Sequence, residues 1–438
     1  MNTRKFSLPE LNRRDFLKTT STLAAAAALA PGVFAANNDT LKVALIGCGG
    51  RGSGAADQAL STEGPIKLVA MGDVFKDRLE SSYNNLKERH ADRVDVPEEN
   101  KFVGFDAYQK AIALADVVIL ATPPGFRPPH FEEAVRQGKH IFMEKPVAVD
   151  GTGVRKVLAA CEEAKKKNLK VAVGLQRHHQ KGYIETLQRL HDGAIGDIVA
   201  MRCYWNDAGV WVHARKELEE QAGHPLTEME YQMRNWYYFV WLCGDHINEQ
   251  HIHNLDVINW VKKGHPVRAW GMGGREVRKG IDHGEIFDHH AVQFEYADGS
   301  RCSSECRHIP GCWSNVSEHV QGTNGKCDVS GYRISGPAAW HFSGGGKDPY
   351  QQEHDDLFAA IRNDTPYNET AEYGAYSTMT AILGRLATYS GKEISWDEAI
   401  NSPLDSMPKV LGWDADPPHK PDANGRYPVA VPGVTKVI

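Results

Sequence analysis

From Leu41 onward, short apolar runs alternate along the chain with longer stretches whose apolar residues recur at helical spacing. The runs at 41–46, 66–71, 116–121, 140–143 and 170–174 predict strands, and the segments between them predict helices. That alternation is the signature of repeated strand–helix units in a parallel sheet. Beyond it, 282–308 reads as a hairpin of a second sheet, with Ala291 to Tyr296 leading into the turn residues Asp298 and Gly299. The stretch 245–261 predicts one helix and 351–391 predicts helices returning against the body. A Pro-rich tail follows from Pro403.

The amino-terminal 35 residues have a different character. Arg13-Arg14 precedes Phe16-Leu17-Lys18, a weakly apolar, Ala-rich stretch runs over 19–30, and the small-residue exit Val33-Phe34-Ala35 follows. This order predicts a twin-arginine export signal cleaved after Ala35. The apolar stretch is shorter than the roughly 20 residues needed to span a bilayer, so stable membrane insertion is not expected. The organisation predicted is a signal at 1–35, a dinucleotide-binding domain at 41–177, a substrate-binding α/β domain at 178–400 and a tail at 401–438.

The 438 residues, 41% hydrophobic and 24% charged, suit two or three globular domains. The formal net charge of −6 becomes −9 once residues 1–35 are removed, and acidic and basic residues are interspersed. No basic face is available for nucleic acid. All eight cysteines follow the signal; Cys302, Cys306, Cys312 and Cys327 cluster without paired C-x2-C units and read as free thiols, with a disulfide left open in an oxidising compartment.

The first run ends in Gly47-Cys48-Gly49-Gly50-Arg51-Gly52, a G-x-G-x-x-G between a strand and a helix expected near Ser53. Gly47 permits the tight turn, Gly49 lets backbone N–H groups approach a pyrophosphate, and Gly52 allows close helix–strand packing. The second strand closes on Asp73, 21 residues after Gly52, where a carboxylate accepts hydrogen bonds from the adenosine ribose hydroxyls. Asp73 favours NAD, with NADP as the alternative because Lys76 and Arg78 lie nearby. Later strand ends carry Thr122-Pro123-Pro124 and Glu144-Lys145-Pro146, turns that face the nicotinamide half of the ligand in an open parallel sheet.

The glycine motif, the Glu144-Lys145-Pro146 turn and the later Glu249-x3-His253-x2-Asp256-x3-Trp260 occur in an order that resembles the glucose-fructose oxidoreductase, inositol dehydrogenase and rhizopine-catabolism family (Gfo/Idh/MocA), from about 41 to 400. The resemblance implies an α/β fold with an amino-terminal Rossmann domain and a carboxy-terminal α/β domain bearing a large, mostly antiparallel sheet. It also implies a homo-oligomer, a secondary hydroxyl of a sugar or cyclitol as substrate, Lys145 beside nicotinamide and substrate, and His253 as the proton-transfer residue. Family members usually carry Asp where this chain has Glu249.

On a single helix, residues 249, 253, 256 and 260 share one face. The catalytic set expected is His253 as general base and acid, Lys145 as electrostatic stabiliser, Glu249 as orienter or substrate ligand, and Asp256 as a second carboxylate raising the basicity of His253. The cofactor set is Gly47, Gly49, Gly50, Arg51, Gly52, Asp73, Thr122, Pro123, Glu144 and Lys145. Arg177, Trp205, Trp211, His213 and Arg215 are expected to line the substrate cleft, with His178 and His179 secondary; the aromatic stretch 204–241 suits the apolar faces of pyranose rings. His246, Glu249 and His253, with His283, His289, His290 and His308, show no tight ligand spacing, so no metal is expected; His251 should point elsewhere. The leading expectation is a periplasmic sugar or glycoside oxidoreductase with tightly held cofactor. A redox-neutral glycosidase or lyase and a non-catalytic sugar-binding protein are the alternatives.

Overall fold

The computed structural model describes residues 39–367 and 369–438; the expected signal and its cleavage point lie outside them. The first sheet has six parallel strands, β1 Leu41–Ile46, β2 Ile66–Asp73, β3 Lys101–Val103, β4 Val117–Leu120, β5 His140–Met143 and β6 Val171–Val173, in the order β3-β2-β1-β4-β5-β6. Strands β1, β4 and β5 are apolar almost throughout, as expected where helices cover both faces. The strand order reverses between β1 and β4, so a crevice opens beyond their carboxyl ends. Only β3 was not anticipated; it has three residues, none of them fully buried, too few to leave a pattern.

The second sheet has nine strands: β7 Ile198–Asp207, β8 Arg268–Gly274, β9 His289–Glu295, β10 Arg301–His308, β11 Asn315–Gly322, β12 Lys326–Asp328, β13 Arg333–Ser335, β14 Trp340–His341 and β15 Ile394–Ser395. Their order is β14-β13-β12-β11-β7-β10-β9-β8-β15, antiparallel except for the β7–β10 pair. The expected hairpin is β9–β10, paired from Arg301 with Glu295 to Arg307 with His289. Burial alternates along both strands: His290, Val292 and Phe294, then Cys302, Ser304, Cys306 and His308, face the core.

Six helices position the site: α1 Gly50–Leu60, α2 Gly151–Lys166, α3 His246–Glu249, α4 Ile252–Lys262, α5 Pro349–Asn363 and α6 Glu369–Ser390. The single helix expected over 245–261 is instead α3 and α4, broken at Gln250 and His251. The buried His251 side chain bonds Ser304 in the large sheet (Nε2–Oγ 2.7 Å), and tertiary packing outweighs continuous helical bonding there. Helix α6 touches both sheets: its Gly374 lies against Val173 of β6 and its Gly384 against Phe294 of β9. The tail is not detached, because Trp413 packs on Phe75 and Phe105, and the Ser406 N–H donates to Asp150 (2.7 Å). The eight cysteines are free thiols, seven of them buried.

Phe294 is fully buried where β9 meets α6 and Ile247 of α3. Phe294→Ala is expected to cost about 3–5 kcal/mol, read as a lower urea midpoint. A midpoint unchanged from the parent would show that this junction does not hold the two layers together.

Candidate active site

A cavity of about 580 Å³ lies at the carboxyl ends of β1, β2, β4 and β5. Gly47, at the end of β1, has φ +93°, and a Cβ there would fall 2.5 Å from the backbone of Ala121 and Thr122. At Gly52 a Cβ would stand 1.9 Å from the Gly47 carbonyl oxygen. These two contacts press the turn against the start of α1, while Gly50 borders open space and a Cβ at Gly49 would meet only the Arg78 guanidinium, at 3.7 Å. Helix α1 has no side-chain N-cap bond and no acidic residue in its first turn. Its free backbone N–H groups form a cradle for a pyrophosphate. The residues present therefore fit a dinucleotide.

Asp73 accepts hydrogen bonds from the Cys48 N–H (Oδ2, 2.7 Å) and the Phe75 N–H (Oδ1, 2.8 Å). Burial pushes its carboxyl above the usual range, against the pull of those two bonds. A second lone pair on each oxygen remains for hydroxyl donors. Arg78 also lines the cavity, beside Asp73.

Lys145 follows β5 in a turn closed by a cis Lys145–Pro146 peptide. Its Nζ donates to the Glu249 carbonyl (2.6 Å) and to Glu249 Oε1 (3.2 Å). Of three ammonium hydrogens, one is left over. Burial pushes the Glu249 carboxyl upward while Lys145 pulls it back. Glu144 pairs with Arg51 of α1, whose guanidinium also lies 3.6 Å from Glu353 of α5 and over the Tyr350 ring. Glu353 is fully buried, and burial together with Glu144 raises its carboxyl well above the ordinary range.

His253 lines the same cavity as Lys145 and Glu249, with its Nδ1 buried and unpartnered and its ring stacked on Trp205 at 5.9 Å. Burial, then the nearby Lys145, Arg177 and Arg51, holds the imidazole well below its usual range. This corrects the expectation that neighbouring carboxylates raise its basicity. Asp256 does not line the cavity. It lies one turn farther along α4, where it takes hydrogen bonds from His178 (2.9 Å) and Ser377 (2.8 Å).

Two expected cleft residues are also placed elsewhere. Arg177 is drawn to the fully buried Glu318, which Asn254 also bonds (2.5 Å), and acts on His253 from behind the wall. Arg215 is held by Glu228 (2.5 Å) and lies over the Tyr231 ring. His178 and His179 are paired with Asp256 and Asp356. Trp205, Trp211 and His213 do line the cavity, the last two stacked at 4.5 Å. So do all ten residues of the expected cofactor set.

Trp236, from the expected aromatic stretch, also lines the cavity, as do Gln250, Arg127 and Tyr350, which were missed. Gln250 carries a buried, unpartnered Oε1, and its place at the break between α3 and α4 turns it inward. Arg127 donates to the Leu120 carbonyl (2.8 Å) and burial pulls it down to about 10. Its position just after the Thr122-Pro123-Pro124 turn was the one available signal. Tyr350 comes from a helix about 300 residues from the glycine motif, and no local pattern points to it.

Residues 41–175 match the family described as oxidoreductase family, NAD-binding Rossmann fold, and residues 10–30 match the twin-arginine translocation pathway signal sequence. Inositol 2-dehydrogenase of Ralstonia nicotianae is 27% identical over 269 residues, 61% of this chain and 67% of that protein. Aldose-aldose oxidoreductase from Caulobacter crescentus superposes with a TM-score of 0.63 at 19% identity, covering 82% of this chain and 100% of that one. Scyllo-inositol dehydrogenase from Lactobacillus casei, solved with NAD(H) and scyllo-inositol, superposes with a TM-score of 0.61 at 20% identity over 82% and 100%. These structures share the fold of this chain.

Gly52→Ala forces a Cβ into the Gly47 carbonyl and must open the turn. NAD affinity measured by calorimetric titration is expected to fall at least about tenfold, ~1.4 kcal/mol. Unaltered affinity would mean that the cradle does not carry the dinucleotide.

Proposed function

We propose that this chain, whose residues 41–175 match the NAD-binding Rossmann oxidoreductase family, transfers hydride between a secondary hydroxyl carbon of a sugar, cyclitol or glycoside and a tightly held NAD. The observation that carries this reading is the convergence of the Lys145 ammonium, the Glu249 carboxylate and the His253 imidazole on the cavity of the glycine turn. Bound NAD supplies a two-electron acceptor for a carbon-bound hydrogen. Gly47, Gly49, Gly50, Arg51, Gly52 and Asp73 hold its pyrophosphate and adenosine ribose, with Thr122, Pro123, Glu144 and Lys145 around its other half.

The proton is the protein's task. His253 is neutral at physiological pH and offers a lone pair to the substrate hydroxyl. Lys145 directs its third hydrogen to the same oxygen and stabilises the negative charge that grows as the proton leaves. Glu249 fixes the ammonium through two hydrogen bonds, one from its backbone carbonyl and one from its carboxylate. The extra methylene of Glu over the Asp usual in the family leaves this second bond within reach. Trp205, Trp211 and Trp236 offer ring faces to the apolar side of a sugar, and Gln250 and His213 offer polar atoms to its hydroxyls.

The twin-arginine signal match at 10–30 supports export to the periplasm, where free NAD is scarce. Retention is supported by the way Tyr350 and Glu353 of α5 close over Arg51 beside the cradle. A second carbohydrate then reoxidises the cofactor. Asp73 favours NAD, whereas Arg78 beside it tempers discrimination against a 2′-phosphate.

Lys145→Ala is expected to lower kcat by about 10²–10³-fold while NAD affinity changes little. Turnover equal to the parent's would remove Lys145 from the reaction. The depressed His253 ring sets a second expectation: kcat/KM stays flat as pH falls through about 6.5, and its acid limb appears below that value. A limb centred above 7 would contradict a neutral, cation-flanked base. Glycosides incubated with an added acceptor should yield keto-sugars; release of free sugar without an acceptor would instead establish the redox-neutral lyase.

A further inference from the structure

One buried cation in the cavity wall has no counter-ion. Arg127 opens the helix Arg127–Arg136 that follows the Thr122-Pro123-Pro124 turn, is 1% exposed, and lines the cavity together with Lys145, Glu249 and His253. Of its five N–H hydrogens one is used, from Nη1 to the Leu120 carbonyl (2.8 Å). Nε is buried without a partner, and among the described residues no carboxylate forms an ion pair with the guanidinium. The neighbouring cations differ: Arg51, Lys145 and Arg177 each hold a carboxylate.

This placement is costly on two counts. A buried charge is tolerated where a partner satisfies it, and a cation at the amino end of a helix meets the positive end of the helix dipole. The first turn carries no acidic residue to offset that. Nor does the backbone there offer a donor to a ligand. The Phe126 and Arg127 N–H groups are taken by the Pro123 and Pro124 carbonyls, and Pro128 and Pro129 have none. The guanidinium is left as the donor at this end of the helix.

Its location follows from the oxygen that it binds. The Leu120 carbonyl, the last of β4, also accepts the Glu144 N–H just beyond β5 (2.9 Å). The guanidinium therefore sits where β4 and β5 end, between the Thr122-Pro123 turn and the Glu144-Lys145 turn. That is the side of the crevice assigned above to the nicotinamide half of the ligand. Burial pulls the guanidinium down to about 10, against the pull of Glu144 and Glu249, so it remains a cation at neutral pH.

We propose that Arg127 reads the nicotinamide ring, donating a free N–H to its carboxamide oxygen and, as an uncompensated cation, favouring the reduced ring over the oxidised one. This assignment rests on the dinucleotide reading above. The oxidised ring carries a positive charge and the reduced ring none, so a cation held beside it disfavours the oxidised form alone. In the reduced ring the nitrogen lone pair conjugates with the carboxamide, whose oxygen becomes the richer acceptor for a charged donor. Both effects act in one direction. In the reaction the carbinol hydrogen leaves with its electron pair for the nicotinamide ring and the hydroxyl hydrogen passes as a proton to His253. The carbon is oxidised to a carbonyl as NAD is reduced, and Arg127 draws that step toward the carbonyl product.

The test is calorimetric titration of the intact protein, freed of bound nucleotide, with NAD⁺, NADH and ADP-ribose, which keeps the pyrophosphate and both riboses but lacks the nicotinamide. NADH is expected to bind at least about tenfold more tightly than NAD⁺. Arg127→Met is expected to shrink that ratio by about tenfold while ADP-ribose affinity, which also reports that the variant is folded, stays within about twofold. Arg127→Lys keeps the charge and retains most of the ratio. A parent that binds NAD⁺ as tightly as NADH would overturn the proposal before any variant is made. So would a ratio unmoved in Arg127→Met, a ratio lost as fully in Arg127→Lys, or a parallel loss of ADP-ribose affinity, which would assign the guanidinium to the pyrophosphate. Binding of none of the three nucleotides would remove the dinucleotide reading and this assignment together, whereas ADP-ribose binding with an unmoved ratio removes this assignment alone.

Discussion

The contact on which the site depends is the one from the Lys145 ammonium to Glu249. It joins a turn at the end of the dinucleotide sheet to the last residue of a one-turn helix in the second half of the chain. Even half-buried, an ammonium is costly unless its hydrogens are satisfied, and a carboxylate equally so. Each group therefore restrains the other. Two of the three ammonium hydrogens are used in this way, and the geometry leaves the third for a ligand.

Around that contact the charges are arranged in two tiers. Arg51 faces Glu144 and Glu353 beside the cradle, so the cation at the start of α1 is held by both halves of the chain. Arg177 is neutralised by Glu318 behind the wall and still acts on His253. The imidazole is consequently surrounded by cations rather than by the carboxylates nearest to it in sequence. Its neutrality is a property of the assembled cavity, and a neutral ring can accept a proton without first losing one.

The scaffold keeps these groups in register by sharing one helix between layers. Helix α6 lies against β6 of the parallel sheet at Gly374 and against β9 of the large sheet at Gly384, and it supplies Ser377 to Asp256 and Thr388 to His290. The segment 245–251 runs beside it, tied by Tyr389 to Asp245. Polar groups that look unrelated along the chain therefore converge on the stretch that presents Glu249 to Lys145.

The parallel strands, the glycine turn, Asp73 and the Glu144-Lys145-Pro146 turn were legible in the sequence because each is set by backbone geometry over a few residues. Gly47 and Gly52 are required by contacts within one strand–turn–helix unit, and strand ends in an open parallel sheet have only one crevice to face. The sequence by itself thus determined that the glycine turn, Lys145 and His253 belong to one cavity. Tertiary structure alone decided the break between α3 and α4, the capture of Asp256 by His178 and of Arg177 by Glu318, and the meeting of His246 with His290. The physical reason is that a side chain's charge, tautomer and partner depend on groups packed against it from tens to hundreds of residues away. Periodicity along the chain does not contain that information.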